Sequence, residues 1–549
     1  SKKTMNNKPL KLNDDFVNPS QQCSRLMKGN ELHSNDSECS SKRSVDLSDC
    51  IACGGCVTLS ETTLMNQQNI DELFQVLQSS FHYPVKWPTL DQQPQQEKFK
   101  RRYKVMIASI SPQSLASIAA YFNCSMIEAE RRLHFVFHKF GALHVFDTSW
   151  SRHFTHLEIC HEFDAKFASI AEQRKREMEP DFDVRPRSAK RSRKEICIPM
   201  LTSSCPGFVC YAEKSFGDFI IPFISTTKSP QQMMGSILKQ YYVKLLGEKG
   251  LDIDKISCDK TSTCTSRCKS LKSSDIYHVS IMPCFDKKIE ASRPDFQIDN
   301  KVNEVDIVLT TSELVAVLQT QFDISSREDF MQLSPDIDRE YSSSYNGFDT
   351  PLFSFPISDI ISYGIKGPIE SGGYCETVFR FAAKKYFNVE IPADQPLDFK
   401  TSRNSDFKEV ELKIGEEGYQ QTVLRMAIAN GFRNIQNVIR KLKSSRLEYD
   451  FIEVMACPSG CINGGGQLPA PENVAAKDHL HHVKELYDST LVRIHQKIQK
   501  SDDDAPPSFY EAYTKWLQGD FYSEEVKNVF HTSYHPHQNR SVNPLTLQW

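Results

Sequence analysis

Residues 453–466 read EVMACPSGCINGGG, and the reading of the whole chain turns on them. Cys457 and Cys461 are separated by Pro-Ser-Gly, and Gly464, Gly465 and Gly466 follow. The apolar run Phe451 to Met455 enters this loop and reads as a buried strand. Four-residue spacing lets two thiolates converge on one site, with Pro458 and Gly460 bending the backbone around it. The three glycines are expected to let the main chain approach a bulky ligand where a side chain would collide. Thiolates are soft ligands suited to iron–sulfur clusters or zinc. Two of them make an incomplete site, so partners must come from elsewhere in the chain.

The chain has 549 residues, enough for roughly 3–4 domains. Apolar residues make up 39% and charged residues 25%, which allows real cores. A net charge of −4 gives no general case for nucleic-acid binding. No apolar run is long enough for a membrane-spanning helix. The start, SKKTMNNKPLKLNDDF, lacks the apolar stretch of a secretory leader, so an intracellular chain is expected. In that setting 17 cysteines favour metal binding over disulfides.

Residues 1–49 are polar and are not expected to build a core, but they hold Cys23 and Cys39. Next comes SDCIACGGC, a C-x-x-C-x-x-C run of Cys50, Cys53 and Cys56 that can wrap three thiolates around one cluster. Where a bacterial ferredoxin would place its next Cys and a Pro, this chain has Ser60 and Glu61. The fourth ligand must come from outside the run, and Cys23 and Cys39 are the candidates.

Residues 66–100 read as a connector. Beyond it, strands are expected over Tyr103–Ile110, 143–148, Ile198–Thr202, Tyr277–Met282, Val305–Leu309 and Phe451–Met455, with helices between them. Ser111-Pro112 and Ser229-Pro230 open two of those helices, each with a cap and a proline at the first position. Phe163, Phe167 and Ile170 recur at helical spacing and are read as core, and Cys160 and Cys375 as packing residues. Residues 174–195 are a basic segment read as a solvated insert. Residues 252–275, with Cys258, Cys264 and Cys268, read as a second insert, and 323–350 as a polar surface excursion. Residues 476–530 are expected to be mostly helical.

Alternating strands and helices imply parallel sheets with helices on their faces. Cys205, Cys284 and Cys457 each follow directly after an expected strand. Ligands of open α/β sheets gather at the carboxyl ends of strands. Three strands thus deliver thiolates to one kind of edge, and Cys461 adds a fourth. Four thiolates in a cleft fit a cubane cluster, with zinc as the weaker alternative.

TSSCPGF (202–208), SPQQMMG (229–235), MPCFDKKIE (282–290) and VMACPSGCINGGGQLP (454–469) resemble the signature segments of iron-only hydrogenases, in that family's order. HTSYHP (531–536) resembles part of its C-terminal subdomain. Two departures point to one branch. Ser204 stands where a hydrogenase has the cysteine that relays protons to its active cluster, and the N-terminus carries one cysteine run rather than larger electron-transfer domains. LNDDFVNPSQQC, SDCIACGGC and a terminal Trp resemble the hydrogenase-like cytosolic iron–sulfur assembly factors of eukaryotes, the nuclear prelamin A recognition factor-like proteins.

The resemblance implies an α/β, iron-only hydrogenase-like fold: two lobes of mainly parallel sheet flanked by helices around a cluster cleft, with a small N-terminal cluster-binding segment. The expected division is 1–100, the N-terminal iron–sulfur segment and connector; 101–300, the first lobe; 301–475, the second; and 476–549, a helical subdomain and tail. It implies two 4Fe–4S clusters, one on Cys205, Cys284, Cys457 and Cys461, the other on Cys50, Cys53, Cys56 and Cys23. Cys23 is favoured over Cys39 by the residues just before it. The implied role is a non-catalytic adapter that passes or licenses clusters for cytosolic and nuclear apoproteins. The expected partners are an upstream cluster scaffold and the cytosolic targeting complex, without membrane or specific nucleic acid. The cytoplasm is the expected compartment, the nucleus a further one. Leu547-Gln548-Trp549 resembles the aromatic-ended tails that bind that complex, although Gln548 departs from the usual acidic or Ser residue. Lys287 and Glu290 keep a hydrogenase-like spacing, with a structural hydrogen-bonding role expected. A hydrogenase and a cluster-based electron carrier are the competing readings, separable by hydrogen turnover with a synthetic di-iron subcluster and by redox titration.

Overall fold

The computed structural model describes residues 65–81, 103–177, 198–243, 271–333, 370–392, 395–401, 404–415, 420–471, 473–498 and 523–536. Cys23, Cys39, Cys50, Cys53, Cys56, Cys258, Cys264, Cys268 and the tail Leu547-Gln548-Trp549 lie outside the described residues, as does the basic segment from 178 to 195.

Eleven strands are described: β1 (Val105–Ile110), β2 (Ala142–Asp147), β3 (Met200–Thr202), β4 (Ile276–Met282), β5 (Gln297–Ile298), β6 (Val302–Asn303), β7 (Ile307–Thr310), β8 (Lys400–Thr401), β9 (Phe407–Ile414), β10 (Gln421–Asn430) and β11 (Phe451–Met455). A four-stranded sheet runs β2-β1-β4-β7, parallel throughout. A five-stranded sheet runs β3-β11-β10-β9-β8, parallel on the β3, β11, β10 side and antiparallel across β9 and β8. β5 and β6 pair as a small hairpin. The α/β fold with mainly parallel sheets is the expected one. β3 precedes residue 300 yet belongs to the second sheet, and β7 follows it yet belongs to the first. The chain therefore passes between the sheets more than once, and each sheet is assembled from distant segments.

Local sequence explains most elements. Ser111 caps the helix Pro112–Tyr121 by accepting from the Ser114 amide, with Pro112 at its first position. Ser125 with Glu128, and Thr310 with Glu313, form reciprocal capping boxes for Met126–Lys139 and Thr311–Phe322. Strands β4 and β11 are buried at every residue, as central parallel strands covered on both faces must be.

The helix Thr148–Glu177 belongs to two cores. Its early residues Trp150 and Phe154 pack with Met233, Met234, Val526 and Phe530 against the outer side of β1 and β4. Its later residues Phe163 and Phe167 enter the core of the five-stranded sheet, where the Phe163 ring meets Phe451 edge-on at 5.9 Å. Arg174, expected to begin a solvated insert, lies within this helix instead. Its guanidinium forks onto the buried Asp450 carboxylate at 2.7 and 2.8 Å, because a carboxylate there needs a partner. The surface excursion expected from 323 also begins inside the fold. Ser326 and Asp329 cap a short helix, Arg327–Met331, whose Phe330 stacks on Phe122 at 4.0 Å.

Several histidines are locked neutral inside. His278 on β4 meets the Ser109 hydroxyl at Nε2 (2.8 Å) and the Glu304 carbonyl at Nδ1 (3.2 Å), so Nδ1 carries the proton. Burial pushes His278 from 6.5 down to about 3, and His153 and His156 to about 4 and about 3. Between about 6.5 and about 3 the unfolded chain therefore binds protons that the folded chain refuses, and stability falls as pH falls. The thermal midpoint of metal-free protein is expected to drop steadily across this window, with a shallower slope in His278→Asn. A midpoint independent of pH there would contradict the neutral assignment.

Candidate functional site

The four cleft cysteines come from the carboxyl ends of strands in both sheets. Cys205 follows β3 and sits at the start of the helix Pro206–Ser215. Cys284 follows β4, just before the helix Asp286–Ala291. Cys457 follows β11, and Cys461 opens a single helical turn, Cys461–Asn463. Cys205 is buried and the other three are half-buried. No disulfide joins any described cysteine.

Each turn is pinned by its neighbours. The Ser203 hydroxyl accepts from the Cys205 amide (3.1 Å) and donates to the Val454 carbonyl (2.6 Å), tying the turn after β3 to β11. The backbones of Ala456 and Phe208 favour the ionised Cys205 sulfur, against its burial. The glycine run does something other than clear space for a ligand. A Cβ on Gly464 would lie 2.4 Å from the Pro283 carbonyl oxygen, and one on Gly466 would lie 2.7 Å from the Thr310 methyl. The Gly466 amide donates to Pro283 (2.8 Å), and its carbonyl accepts from the Ser312 amide (3.0 Å). These glycines press the Cys457–Cys461 loop against the Cys284 turn and the end of β7.

The thiols share one electrostatic neighbourhood. Burial pushes Cys205 up to about 12, with the charges of Asp286 and Cys461 adding to it. Burial also raises Cys284 and Cys457 well above the ordinary thiol value, and each feels the other cleft cysteines. In Cys461 burial is opposed by a hydrogen bond from Ser371 and by the positive charges of Lys287 and Arg152. Among the described residues, no three His, Cys, Asp or Glu side chains converge closely enough to grip a single metal ion. A cubane carries its irons at separate corners and needs thiolates set wider apart than the ligands of one ion. Four soft donors drawn from separate turns, without the two short pairs usual for structural zinc, suit such a cluster.

The description "Iron only hydrogenase large subunit, C-terminal domain" matches residues 104–258 and 259–465. A "Cytosolic Fe-S cluster assembly factor narfl" of Xenopus tropicalis is 36% identical over 558 residues, covering 98% of this chain and 97% of that protein. A "Cytosolic iron-sulfur assembly component 3" of Pongo abelii is likewise 36% identical, with coverage of 98% and 97%. The chain belongs to this hydrogenase-like family of cytosolic iron–sulfur assembly factors. An apo [FeFe]-hydrogenase from Chlamydomonas reinhardtii shares its fold, with a TM-score of 0.54 at 22% identity over 84% of this chain and 98% of that one.

Ser204, Lys287 and Glu290 each face a partner within the protein. Ser204 is half-buried and its hydroxyl faces the Met455 sulfur at 3.9 Å. Lys287 pairs with Glu290 at 2.8 Å and donates to the Ser229 hydroxyl at 3.0 Å, while that hydroxyl bonds Glu290 in turn. Lys287 and Glu290 thus satisfy one another in a closed, buried set.

Two contributors escaped the sequence reading. Glu453 lies inside the apolar run of β11, and its carboxylate accepts from the amides of Gly372 (3.2 Å) and Cys375 (2.9 Å), capping the helix Tyr374–Phe387. An ionisable residue in an otherwise apolar strand was the available signal. Ser371 holds the Cys461 amide at 3.0 Å, and nothing local in the sequence announces a contact across that separation.

Because the Gly464 Cβ would strike backbone rather than a pliable side chain, Gly464→Ala must part the two loops. A loss of about 1–3 kcal/mol in urea unfolding is expected, with faster thiol labelling of Cys284 and Cys461. Unchanged stability and labelling would show that the loops are not held by this contact.

Proposed function

We propose that this chain is a non-catalytic, cluster-bearing adapter of cytosolic iron–sulfur protein assembly. The observation that carries the reading is that Cys205, Cys284, Cys457 and Cys461, set at the carboxyl ends of strands from both sheets, come near enough to feel one another's charge. In this reading they hold one 4Fe–4S cluster. The C-x-x-C-x-x-C run of Cys50, Cys53 and Cys56, completed by Cys23, holds a second. Names of relatives that match along nearly the whole chain support the pathway. Ser204 in the relay position, with Lys287 and Glu290 closed upon one another, supports a role without hydrogen turnover.

Anaerobically purified protein is expected to contain iron and sulfide for both sites. Cys457→Ala/Cys461→Ala should lose about half of each and unfold more readily, since metal binding is coupled to folding. Full iron and sulfide in that variant would refute the cleft assignment.

The partners in this reading are an upstream cluster scaffold and the cytosolic targeting complex, reached through Leu547, Gln548 and Trp549. No described helix is long and apolar enough to cross a membrane. The cytoplasm, and also the nucleus, are the compartments proposed. A terminal Trp offers an aromatic ring and a carboxylate to one pocket. Deleting Trp549 is expected to weaken capture of the targeting complex at least tenfold while leaving iron content intact. Equal capture by truncated and full-length chains would remove the tail from the account.

A further inference from the structure

The helix Phe432–Lys443 carries cations on its outer face that its own stability does not call for. Its inner face, Ile435, Val438, Ile439 and Leu442, is buried in the core of the five-stranded sheet. Arg433, Arg440, Lys441 and Lys443 stand exposed on the other side, with Arg446 just beyond the last turn. The helix contains no carboxylate, and none of these five cations pairs with one among the described residues. Arg440 donates to the neutral Asn437 side chain at 2.8 Å, and the exposed Glu448 is taken by Arg425 at 2.8 Å. Cations in a last turn complement the helix dipole, which accounts for Arg440, Lys441 and Lys443 taken singly. It does not account for Arg433, in the first turn, where the dipole opposes a positive charge. Nor does it account for Arg440 and Lys443 together, since like charges one turn apart repel. The whole chain has a net charge of −4, so this face reverses the prevailing sign.

The face begins beside the cleft turns. The Gly431 amide donates to the Met455 carbonyl at 2.8 Å, and a Cβ on Gly431 would meet Pro458 at 3.8 Å, next to Cys457. The Phe432 ring meets Tyr211 edge-on at 5.2 Å, on the helix that opens at Cys205. At the far end, Lys443 lies over Phe216 at 4.5 Å and Phe219 at 5.7 Å, and Phe216 in turn meets Tyr211 edge-on at 5.4 Å. These half-buried rings brace the helix and hold Lys443 in place, so the cations are presented on a rigid element.

We propose that the outer face of this helix docks an acidic segment of a partner protein, whose carboxylates pair with Arg433, Arg440, Lys441 and Lys443. A helix of 12 residues is about 18 Å long, a span that about five or six extended residues cover. Charge complementarity of this kind steers encounter and fixes register. Other anions fit less well. The exposed face has no apolar residue to sink into a lipid surface. The rings beside it pack on one another and under Lys443, and so form no row of open faces on which bases stack. The contact is separate from the tail contact proposed above and requires no cluster, but its position would hold the partner beside the cleft.

The test uses the full chain and a fluorescein-labelled peptide rich in Asp and Glu, with a Gly/Ser peptide of equal length as the blank. Arg433→Glu/Arg440→Glu is expected to weaken binding of the acidic peptide at least about tenfold. Lys139→Glu/Lys301→Glu, which makes the same change of net charge at exposed residues away from this helix, is expected to match the parent. Arg433→Gln/Arg440→Gln removes charge without reversing it, and its smaller loss of binding decides the matter if circular dichroism shows the first variant unfolded. Equal weakening in the patch and control variants overturns the proposal, as do patch variants that bind like the parent or a parent that binds acidic and blank peptides alike. A single-stranded oligonucleotide and phosphatidylserine vesicles are run beside the peptide. If either binds the parent more tightly than the peptide and is lost in the patch variants, the face belongs to that ligand and the proposal falls. The cluster assignment is read separately from iron and sulfide in the parent, because its failure leaves the peptide result standing.

Discussion

Two missing side chains hold this molecule in register. Gly464 and Gly466 let the loop after β11 lie directly on the backbone after β4, with an amide of one sheet's loop bonded to a carbonyl of the other's. Any larger residue would push the carboxyl ends of the sheets apart, and the cysteines with them. The cleft is thus shaped by protein–protein backbone contact, independent of any metal. Pre-organisation of this kind lowers the ordering cost of capturing a ligand, because the four turns are already in place.

That arrangement carries an electrostatic cost. Thiols crowded into a buried crevice resist ionisation, and burial raises Cys205, Cys284, Cys457 and Cys461 together. Ligation requires thiolates, so loading a cluster must expel protons from the crevice. Several features offset the resulting negative charge. The positive charges of Lys287 and Arg152 act on Cys461, and the backbones of Ala456 and Phe208 favour the Cys205 thiolate. Arg152 is itself buried and held by the Tyr487 hydroxyl at 2.9 Å, which keeps this cation from swinging away.

Much of this was readable in advance, for identifiable reasons. Buried parallel strands are continuous apolar runs, and a cysteine after each such run marks a strand end, so β3, β4 and β11 with their turns could be placed. The antiparallel pair of β9 and β10 is legible only in the alternation of Val410, Leu412 and Ile414 ahead of Gly415 and Gly418, a mark of paired strands that charged neighbours obscure. The glycine run marks a close approach, but a sequence does not say whether ligand or protein fills the space beside a glycine, and at Gly464 and Gly466 protein fills it. Arg174 looked like the edge of a basic insert because its partner, Asp450, is distant in the chain. Ser371 shares that difficulty, since its contact with the Cys461 amide is one that only the tertiary fold creates.

The helix Thr148–Glu177 has a kinetic meaning. Its first half is rooted in the core behind β1 and β4, its second half in the core of the five-stranded sheet. Neither sheet can lose its core without stripping support from a helix that the other also needs. Local opening is cheapest where a segment belongs to a single cooperative unit, and this helix belongs to two. Its central amides, near the buried Thr155 and Glu158, are therefore the ones that exchange with solvent only when both halves open at once, which makes the two sheets a single unfolding unit around the crevice they share.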